Sequence, residues 1–403
     1  MVMPRTFDRA AALAELRRIT DWWLERAPDR EHGGFLGEID YFGQPVANAD
    51  KGIILNSRLL WFFSEVARQF DDDRCHSAAR RAFDYLLRHF DDAEHGGAVW
   101  RLAADGSLRD GKKQVYAQCF CIYAYCAWFD ASSDAAALAR ATDYVELLER
   151  HALDDVEGGY LEAFTREWEP LDDTLLGPPG LDVRKTMNTH LHLLEAYTAV
   201  HRSAPTETSA RRLRNAIDLM RDRILDRETG HLRLFFDAAW HSLDPVISFG
   251  HDIEASWLLF EAGEALGDED LLESLRSDVL LLATTCREQG LGPGGHVCNE
   301  FHPQSGRLDD EAIWWVQAEG LVGFLNAFLL GGDARFRSAC DALWRFVCHY
   351  QVDAVGGDWH WFAESHGVPG ERPYKVGFWK GPYHNGRAMM ETLRLFDRLA
   401  AGG

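Results

Sequence analysis

A glycine-containing turn that recurs six times constrains the fold of this chain more than any other feature. Each copy is followed by a short stretch in which aromatic or apolar residues alternate with polar ones. The marker glycines are Gly34, Gly97, Gly159, Gly230, Gly295 and Gly357. They are separated by 62 to 71 residues. A near-constant period of this kind is typical of a repeat architecture, so the sequence predicts six copies of one structural unit.

Two helical patterns occur in each period. An amphipathic pattern rich in charge precedes the glycine turn, as at residues 75–90 and 135–153. A second pattern follows the turn and is apolar nearly all round, as at residues 53–70, 114–129 and 311–330. A helix with one apolar face lies at the edge of a core, whereas a helix that is apolar all round is buried. The sequence therefore predicts an all-α (α/α)6 barrel of six inner and six outer helices.

An open solenoid is the competing arrangement, but its ends need polar caps. The last helical pattern instead carries Leu393, Phe396 and Leu399 on one side, which favours the closed barrel. No linker or change of composition divides the chain, so we expect a single domain over residues 1–403.

Charge and cysteine usage exclude several classes of partner. The formal net charge of −22 disfavours nucleic acid and anionic membranes, because both are repelled by it. No run approaches the roughly 18 apolar residues of a membrane span. The eight cysteines form no CxxC pair, and residues 1–9 lack the apolar segment of a signal peptide. We therefore expect a cytoplasmic protein with reduced thiols.

Polar or aromatic residues that are unusual in buried helices follow each marker at broadly similar distances. They are Arg58, Gln118, His192, His251, Trp315 and His384. All lie near the start of an inner helix, so a barrel brings them together at one end. A concave site with a few convergent polar groups is the usual form of a small-molecule pocket.

His251, Glu254 and Trp257 are the most unusual of these patterns, because residues three apart share a helix face. This combination suits a pocket that holds a polar ligand and moves protons. The alternative is a buried core histidine whose hydrogen bonds are satisfied by its neighbour. Clusters of titratable residues mark functional sites only as a tendency, so this alternative stays open.

The third inner helix contains His190 and His192, which point to different sides of a helix and so cannot chelate one metal ion. His192 shares a face with Asn188 and Glu195, which we take as the inward one. Tyr116 lies at the same end of its own helix, where it lines the mouth or fills the core.

The last two inner helices add further polar candidates. Trp315 and Glu319 are four apart and share a face, as a stacking platform beside a carboxylate. His384 follows Pro382 at a helix N-terminus, where the helix dipole lowers the pKa of histidine and helps to keep it neutral.

Other chemistries fit these residues less well. Three converging histidines could bind zinc, but no carboxylate or cysteine spacing completes a familiar ligand set, so we expect no metal. Glu254 and Glu319 could serve a glycoside hydrolase, but the three histidines would then be surplus. No phosphate-binding or dinucleotide loop occurs, so we expect no cofactor.

Five motifs together resemble the N-acylglucosamine 2-epimerase superfamily, and its cellobiose 2-epimerase branch most. They lie at residues 56–62, 187–197, 250–257, 314–319 and 379–387. The resemblance covers essentially the whole chain. It implies an (α/α)6 barrel and metal-independent epimerisation at C2 of a reducing-end aldose, so we expect a small sugar as the substrate.

The resemblance also implies roles for individual residues. His251 and His384 resemble the two acid/base histidines, and Glu254 resembles the carboxylate that orients His251. The residues that resemble substrate-binding groups are His192 and Arg58 at the O1/O2 side, Trp315 and Trp379 as stacking residues, and Glu319 as a sugar-binding carboxylate.

The chemistry agrees with these roles. Removing the C2 proton of an open-chain aldose near pH 7 needs a base with a pKa of about 7, which is histidine. Inversion needs a second base on the other face of the planar enediolate, and a cation stabilises its oxygens. A mannose isomerase and a non-catalytic carbohydrate- or protein-binding module remain alternatives. The sequence does not choose among cellobiose, mannobiose, lactose and mannose, and it leaves the oligomeric state open.

Overall fold

The protein is a closed ring of helices, as a computed structural model that describes residues 6–172, 177–178, 180–363 and 373–402 shows. Twelve α-helices lie within these residues. The inner helices are α2 (Ile53–Phe70), α4 (Val115–Ser132), α6 (Met187–Ser203), α8 (Phe249–Leu266), α10 (Trp314–Gly331) and α12 (Tyr383–Ala400). The outer helices are α1 (Arg9–Arg26), α3 (Asp73–Tyr85), α5 (Ala135–His151), α7 (Glu207–Leu219), α9 (Glu269–Gln289) and α11 (Ala334–Phe346). The predicted (α/α)6 barrel is confirmed.

The ring closes through its last inner helix. Each inner helix contacts the next one along the chain, and α12 contacts both α10 and α2. An open solenoid has no such contact between its ends, so that alternative is excluded. No described helix is long and apolar enough to cross a membrane. The prediction that there is no signal peptide concerns the start of the chain, and residues 1–5 of that segment lie outside the described residues.

Side-chain caps define where the outer helices begin. The side chains of Asp8, Asp72, Asp134, Asp268 and Asp333 accept backbone N–H groups at the starts of five outer helices, and Thr206 caps α7. Such a cap satisfies donors that have no partner inside the helix. Single π-helical turns extend three outer helices, at Leu86–Phe90, Met220–Ile224 and Val347–Gln351.

The marker glycines lie in the turns that lead from the outer to the inner helices. All six have positive φ, between 61° and 84°. Only glycine adopts this region without steric cost, which explains the recurrence. The connections between outer and inner helices also contain short strands, which are β1 (Lys51–Gly52), β2 (Arg101–Leu102), β3 (Leu108–Asp110), β4 (Lys113–Gln114), β5 (Ala163–Phe164), β6 (Lys185–Thr186), β7 (Leu225–Asp226), β8 (His231–Leu232), β9 (Phe235–Phe236), β10 (Ile247–Ser248), β11 (Glu300–His302) and β12 (Arg307–Asp309). They pair antiparallel in sheets of two or three strands.

A polar side chain in the first turn of an inner helix holds the neighbouring glycine turn in four of the repeats. Gln118 exchanges two hydrogen bonds with the backbone of Ala98, and Gln317 does the same with Val297. The backbone N–H groups of Tyr160 and Leu232 donate to His190 and Asp252. Gln118 therefore supports the turn and does not face the ligand cavity as expected.

Candidate active site

The N-terminal ends of the inner helices enclose a cavity of about 360 Å³. All six inner helices contribute to its wall, together with the loops that carry Trp361 and Trp379. The lining residues are Arg58, Tyr116, Asn188, His192, His251, Glu254, Ile313, Trp314, Trp315, Trp361, Trp379 and His384. A cavity of this size, with aromatic walls and few polar groups, is typical of a small-molecule site.

Three histidines present the same ring nitrogen to the cavity. Nδ1 of His384 lies 2.7 Å from Glu319 Oε1, and Nδ1 of His192 lies 2.9 Å from Glu195 Oε2. Nδ1 of His251 lies 2.8 Å from Ser248 Oγ. Because Nδ1 is engaged in each case, Nε2 is the nitrogen that is left for a ligand.

His251 and His384 both lie close to one indole ring. The Trp315 ring centroid is 4.7 Å from that of His251 and 5.6 Å from that of His384. The two histidines come from α8 and α12, on opposite sides of α10, which carries Trp315. They therefore approach the cavity from different directions.

Burial favours the neutral form of all three histidines. It lowers the pKa of His251 to about 3 and holds the pKa of His384 well below its usual range. The pKa of His192 is lowered for the same reason, although the Glu195 carboxylate opposes this. These directions differ from the pKa near 7 that the chemistry led us to expect. The neutral imidazole is the form that accepts a proton.

A buried ionic cluster lies directly behind the histidines. The Arg387 guanidinium donates to Glu195, Glu254 and Glu319, and its distance to Glu319 Oε1 is 2.7 Å. The Tyr383 hydroxyl donates to Glu195 at 2.6 Å. This cluster connects the carboxylates of the His192 and His384 pairs through one cation.

Arg58 is fixed at the cavity wall. Its guanidinium donates to the Trp379 backbone carbonyl at 2.8 Å and to the Tyr116 hydroxyl at 2.9 Å. The Arg58 Nε and the Asn188 Oδ1 are buried and have no hydrogen-bond partner among the described residues.

Most of the predicted site residues come together in this cavity, but Trp257 and Glu319, like Gln118, do not. Trp257 lies behind the wall, where its indole N–H donates to Glu319 at 3.0 Å. Glu319 is also outside the lining and orients His384 from behind. Glu254 lines the cavity, but it bonds to Arg387 and not to His251 as the resemblance implied. Ser248 takes that place beside His251.

Sequence reasoning missed three contributors to the site. Trp314 and Trp361 line the cavity, and their rings lie 4.3 Å apart. Arg387 stands three residues after His384, the spacing that places two residues on one helix face, so its inward position was open to prediction. Trp361 lies outside any helix, and no periodicity indicated it.

The geometry of the cluster does not suit a divalent metal ion. Among the described residues, ligand atoms of Glu254, Glu319 and His384 come within 4.8 Å of one another. The Arg387 guanidinium already donates to both of these carboxylates. A metal ion there would stand against a buried cation that cannot be deprotonated.

Comparison with known proteins agrees with the barrel. Residues 34–385 match the family model of N-acylglucosamine 2-epimerase. A cellobiose 2-epimerase of Bacteroides fragilis is 42% identical over 376 residues, which cover 93% of this chain and 96% of that protein. The structure of cellobiose 2-epimerase from Bacillus thermoamylovorans B4167 superimposes with a TM-score of 0.92 at 33% identity, over 96% of this chain and 98% of that one. A D-mannose isomerase shares the fold, with a TM-score of 0.86 at 18% identity over 98% of this chain and all of that one.

A closed helical barrel with neutral histidines around an aromatic cavity defines an isomerase of the sugar-epimerase class. The family follows from the match over most of the chain and from the identity to its relatives. This chain belongs to the N-acylglucosamine 2-epimerase family.

Proposed function

We propose that this protein epimerises C2 of the reducing-end aldose of a β-1,4-linked disaccharide such as cellobiose, without a metal ion. His251 and His384 are the two proton carriers. The observation that supports this most strongly is that both histidines lie close to Trp315, on the two helices that flank α10, each with Nε2 left for the ligand. The name of the relative from Bacteroides fragilis supports cellobiose as the substrate.

The proposed reaction begins at the C2–H bond of the open-chain sugar. Nε2 of one histidine takes the proton, and the electrons of the C–H bond form a C1–C2 double bond as the C1 carbonyl becomes an enediolate oxygen. The other histidine enters this step protonated at Nε2, with a proton taken from solvent, and gives that proton to the opposite face of C2, while the first histidine keeps the proton that it removed. Either histidine can start the reaction, so the enzyme works in both directions.

Fixed donors stabilise the intermediate where its charge develops. Arg58 is held by the Trp379 carbonyl and the Tyr116 hydroxyl, so its guanidinium needs no rearrangement during the reaction. His192 faces the same cavity, and the Glu195 carboxylate at its Nδ1 stabilises the imidazolium that forms when Nε2 takes a proton. Preorganised groups of this kind are usually the largest single contribution to catalysis.

Nuclear magnetic resonance in D2O tests the proposal. The protein is incubated separately with cellobiose and with mannose, and the C2 deuterium content and the product sugar are identified. Epimerisation predicts deuterium at C2 and a product with mannose configuration at the reducing end of cellobiose. Deuterium at C1 of a ketose product identifies a mannose isomerase. Binding of the sugar without exchange of its hydrogen for deuterium identifies a non-catalytic module.

A further inference from the structure

Ring opening of the sugar needs a base at one oxygen and an acid at another. A reducing-end aldose exists mainly as a pyranose, whose C1–O5 bond must break before C2 becomes acidic. The oxygen O5 then needs a proton, and O1–H must lose one. Burial favours the neutral form of His192, His251 and His384. A neutral imidazole suits the base that takes the O1 proton, whereas the acid at O5 must be a group that already holds a proton.

The ionic cluster contains more buried carboxylates than nearby cations can neutralise. Glu195, Glu254 and Glu319 are all fully buried around the single guanidinium of Arg387. Arg58, the other cation of the cavity, is bonded to a carbonyl and a hydroxyl instead. Uncompensated negative charge in a protein interior is costly, and a carboxyl group relieves it by keeping its proton.

Hydrogen-bond donors decide which carboxyl group keeps that proton. Glu319 accepts from three donors, which are His384 Nδ1, Arg387 Nη2 and the Trp257 indole. Glu195 likewise accepts from three residues, which are His192, Tyr383 and Arg387. Glu254 has Arg387 as its one donor among the described residues. The carboxylate with the fewest donors gains least from ionisation.

The electrostatic surroundings point in the same direction. Burial, and then the charge of the neighbouring Glu319, raise the pKa of Glu254 to about 8. In contrast, Arg387 and His192 overcome burial and lower the pKa of Glu195 to about 2. Glu254 is also the only one of these three carboxyl groups that lines the cavity. The proton is therefore held where a sugar can reach it.

We propose that Glu254 is the acid that protonates the ring oxygen when the substrate pyranose opens, an assignment that rests on the proposed function. The O1–H proton passes to Nε2 of His192, and the electrons of the O1–H bond form the C1 carbonyl. The C1–O5 bond breaks, and its electron pair takes the proton of Glu254. Ring closure of the product returns both protons.

The His192–Glu195 pair suits the other half of this step. The ionised Glu195 carboxylate lies 2.9 Å from His192 Nδ1 and stabilises the imidazolium that forms when Nε2 takes the O1 proton. That imidazolium then donates to O1 and polarises the carbonyl for the subsequent removal of the C2 proton. The same two residues thus prepare the sugar for the reaction at C2.

The isotope effect of a C2-deuterated substrate on kcat/KM tests this assignment in Glu254→Gln. Without the acid, turnover falls by roughly 10²–10⁴-fold. Ring opening becomes limiting, so the isotope effect falls close to unity. Glu319→Gln is the matched control, because it changes the other carboxyl group on Arg387 Nη2 and weakens the support of His384. That variant keeps an isotope effect clearly above unity, because its defect lies in the C2 step.

A Glu254→Gln enzyme with wild-type turnover, or one with an isotope effect as large as that of Glu319→Gln, overturns the assignment. If Glu254→Gln is too slow to measure, Glu254→Asp supplies the isotope effect. Infrared spectroscopy at about pH 7 adds a readout that needs no activity, namely a protonated-carboxyl band that disappears in Glu254→Gln and persists in Glu319→Gln. Absence of that band refutes the proposal, whereas absence of C2 exchange in the wild-type protein refutes the proposed function instead.

Discussion

Glu319 and His384 are 65 residues apart in the chain, yet Oε1 of the carboxylate lies 2.7 Å from Nδ1 of the imidazole. An ionised carboxylate only accepts hydrogen bonds, so Nδ1 carries the hydrogen and Nε2 is the basic nitrogen. His251 has the hydroxyl of Ser248 in the corresponding position. The two proposed proton carriers are therefore unequal, because a carboxylate stabilises an imidazolium better than a hydroxyl does.

Replacing His251 or His384 separates proton removal at C2 from proton return to C2. We expect His251→Ala and His384→Ala each to reduce epimerisation by roughly 10²–10⁴-fold or more. Each variant retains exchange at C2 from one epimer only, because one base still serves one face. The measurement is C2 deuterium content by nuclear magnetic resonance, starting from each epimer. Near-wild-type turnover in either variant contradicts the assignment.

A histidine pair on α6 provides an internal control. His190 accepts the backbone N–H of Tyr160 and lies against Thr186, away from the cavity, whereas His192 lines it. We expect His190→Ala to lower the free energy of unfolding by roughly 1–3 kcal/mol, because it leaves a buried N–H unpaired. Its turnover per folded molecule stays near wild type, while His192→Ala loses turnover without favouring one epimer. Thermal melts and kinetics on the same samples check both, and equal turnover losses would argue against the contrast.

Metal removal should leave the activity intact. The Arg387 guanidinium donates to both Glu254 and Glu319, so a cation already occupies the centre of the group that best resembles a ligand set. We expect dialysis against EDTA to leave kcat unchanged. Activity that disappears on dialysis and returns only with a divalent ion would show this to be wrong.

The buried proton on Glu254 predicts how stability depends on pH. The pKa is raised from 4.5 to about 8 in the folded protein, so between these values the folded chain holds a proton that the unfolded chain has released. Stability therefore falls as pH rises through this window, by up to about 1.4 kcal/mol per pH unit from this group. Glu254→Gln removes this contribution.

The comparison is the change in Tm between about pH 6 and about pH 8, in the wild-type protein and in Glu254→Gln. The titratable or charged groups around Glu254 are Glu195, Glu319, Arg387, His192, His251 and His384, and the variant retains all of them. We expect the wild-type protein to lose more Tm over this interval. An equal loss in both proteins would mean that Glu254 is ionised throughout.

Adjacent glycines of the third turn differ in what surrounds them. Both Gly158 and Gly159 have positive φ, so alanine at either position costs roughly 1–2 kcal/mol of backbone strain. A Cβ at Gly159 would also lie 2.3 Å from the Trp240 ring and 2.9 Å from His190 Nε2, whereas Gly158 faces open space. We expect Gly159→Ala to lose roughly 1–3 kcal/mol more than Gly158→Ala in denaturant unfolding, because of this overlap. Similar losses would contradict the close contact.

The fold was largely predictable because its determinants are local and repeated. A glycine with positive φ, an amphipathic helix and an apolar helix are each visible within one period, and six periods specify a ring. The predicted range 53–70 coincides with α2, and the other ranges differ from the helices only at their ends. The buried ion pairs Lys51–Asp29, Lys113–Asp92, Lys185–Asp154 and Lys375–Asp353 also recur, and their regular spacing could have been found in the same way.

The candidate site was predictable only along each helix. Spacing of three or four residues correctly joined His192 to Glu195, because one helix face is fixed by the sequence itself. This spacing did not show how far along the barrel axis each side chain lies. Trp257 is six residues beyond His251, which is about 9 Å further along the helix, so the same stripe carries it past the cavity.

The sequence by itself determined the repeat, the order of helices and the set of side chains that face inward, because periodicity and backbone conformation are properties of neighbouring residues. Only the tertiary structure decided which of those side chains meet. The contacts of Glu319 with His384, of Glu254 with Arg387 and of Ser248 with His251 depend on the rotation and height at which the helices pack. These are set by the whole closed ring, and they decide where the buried proton and the two basic nitrogens lie.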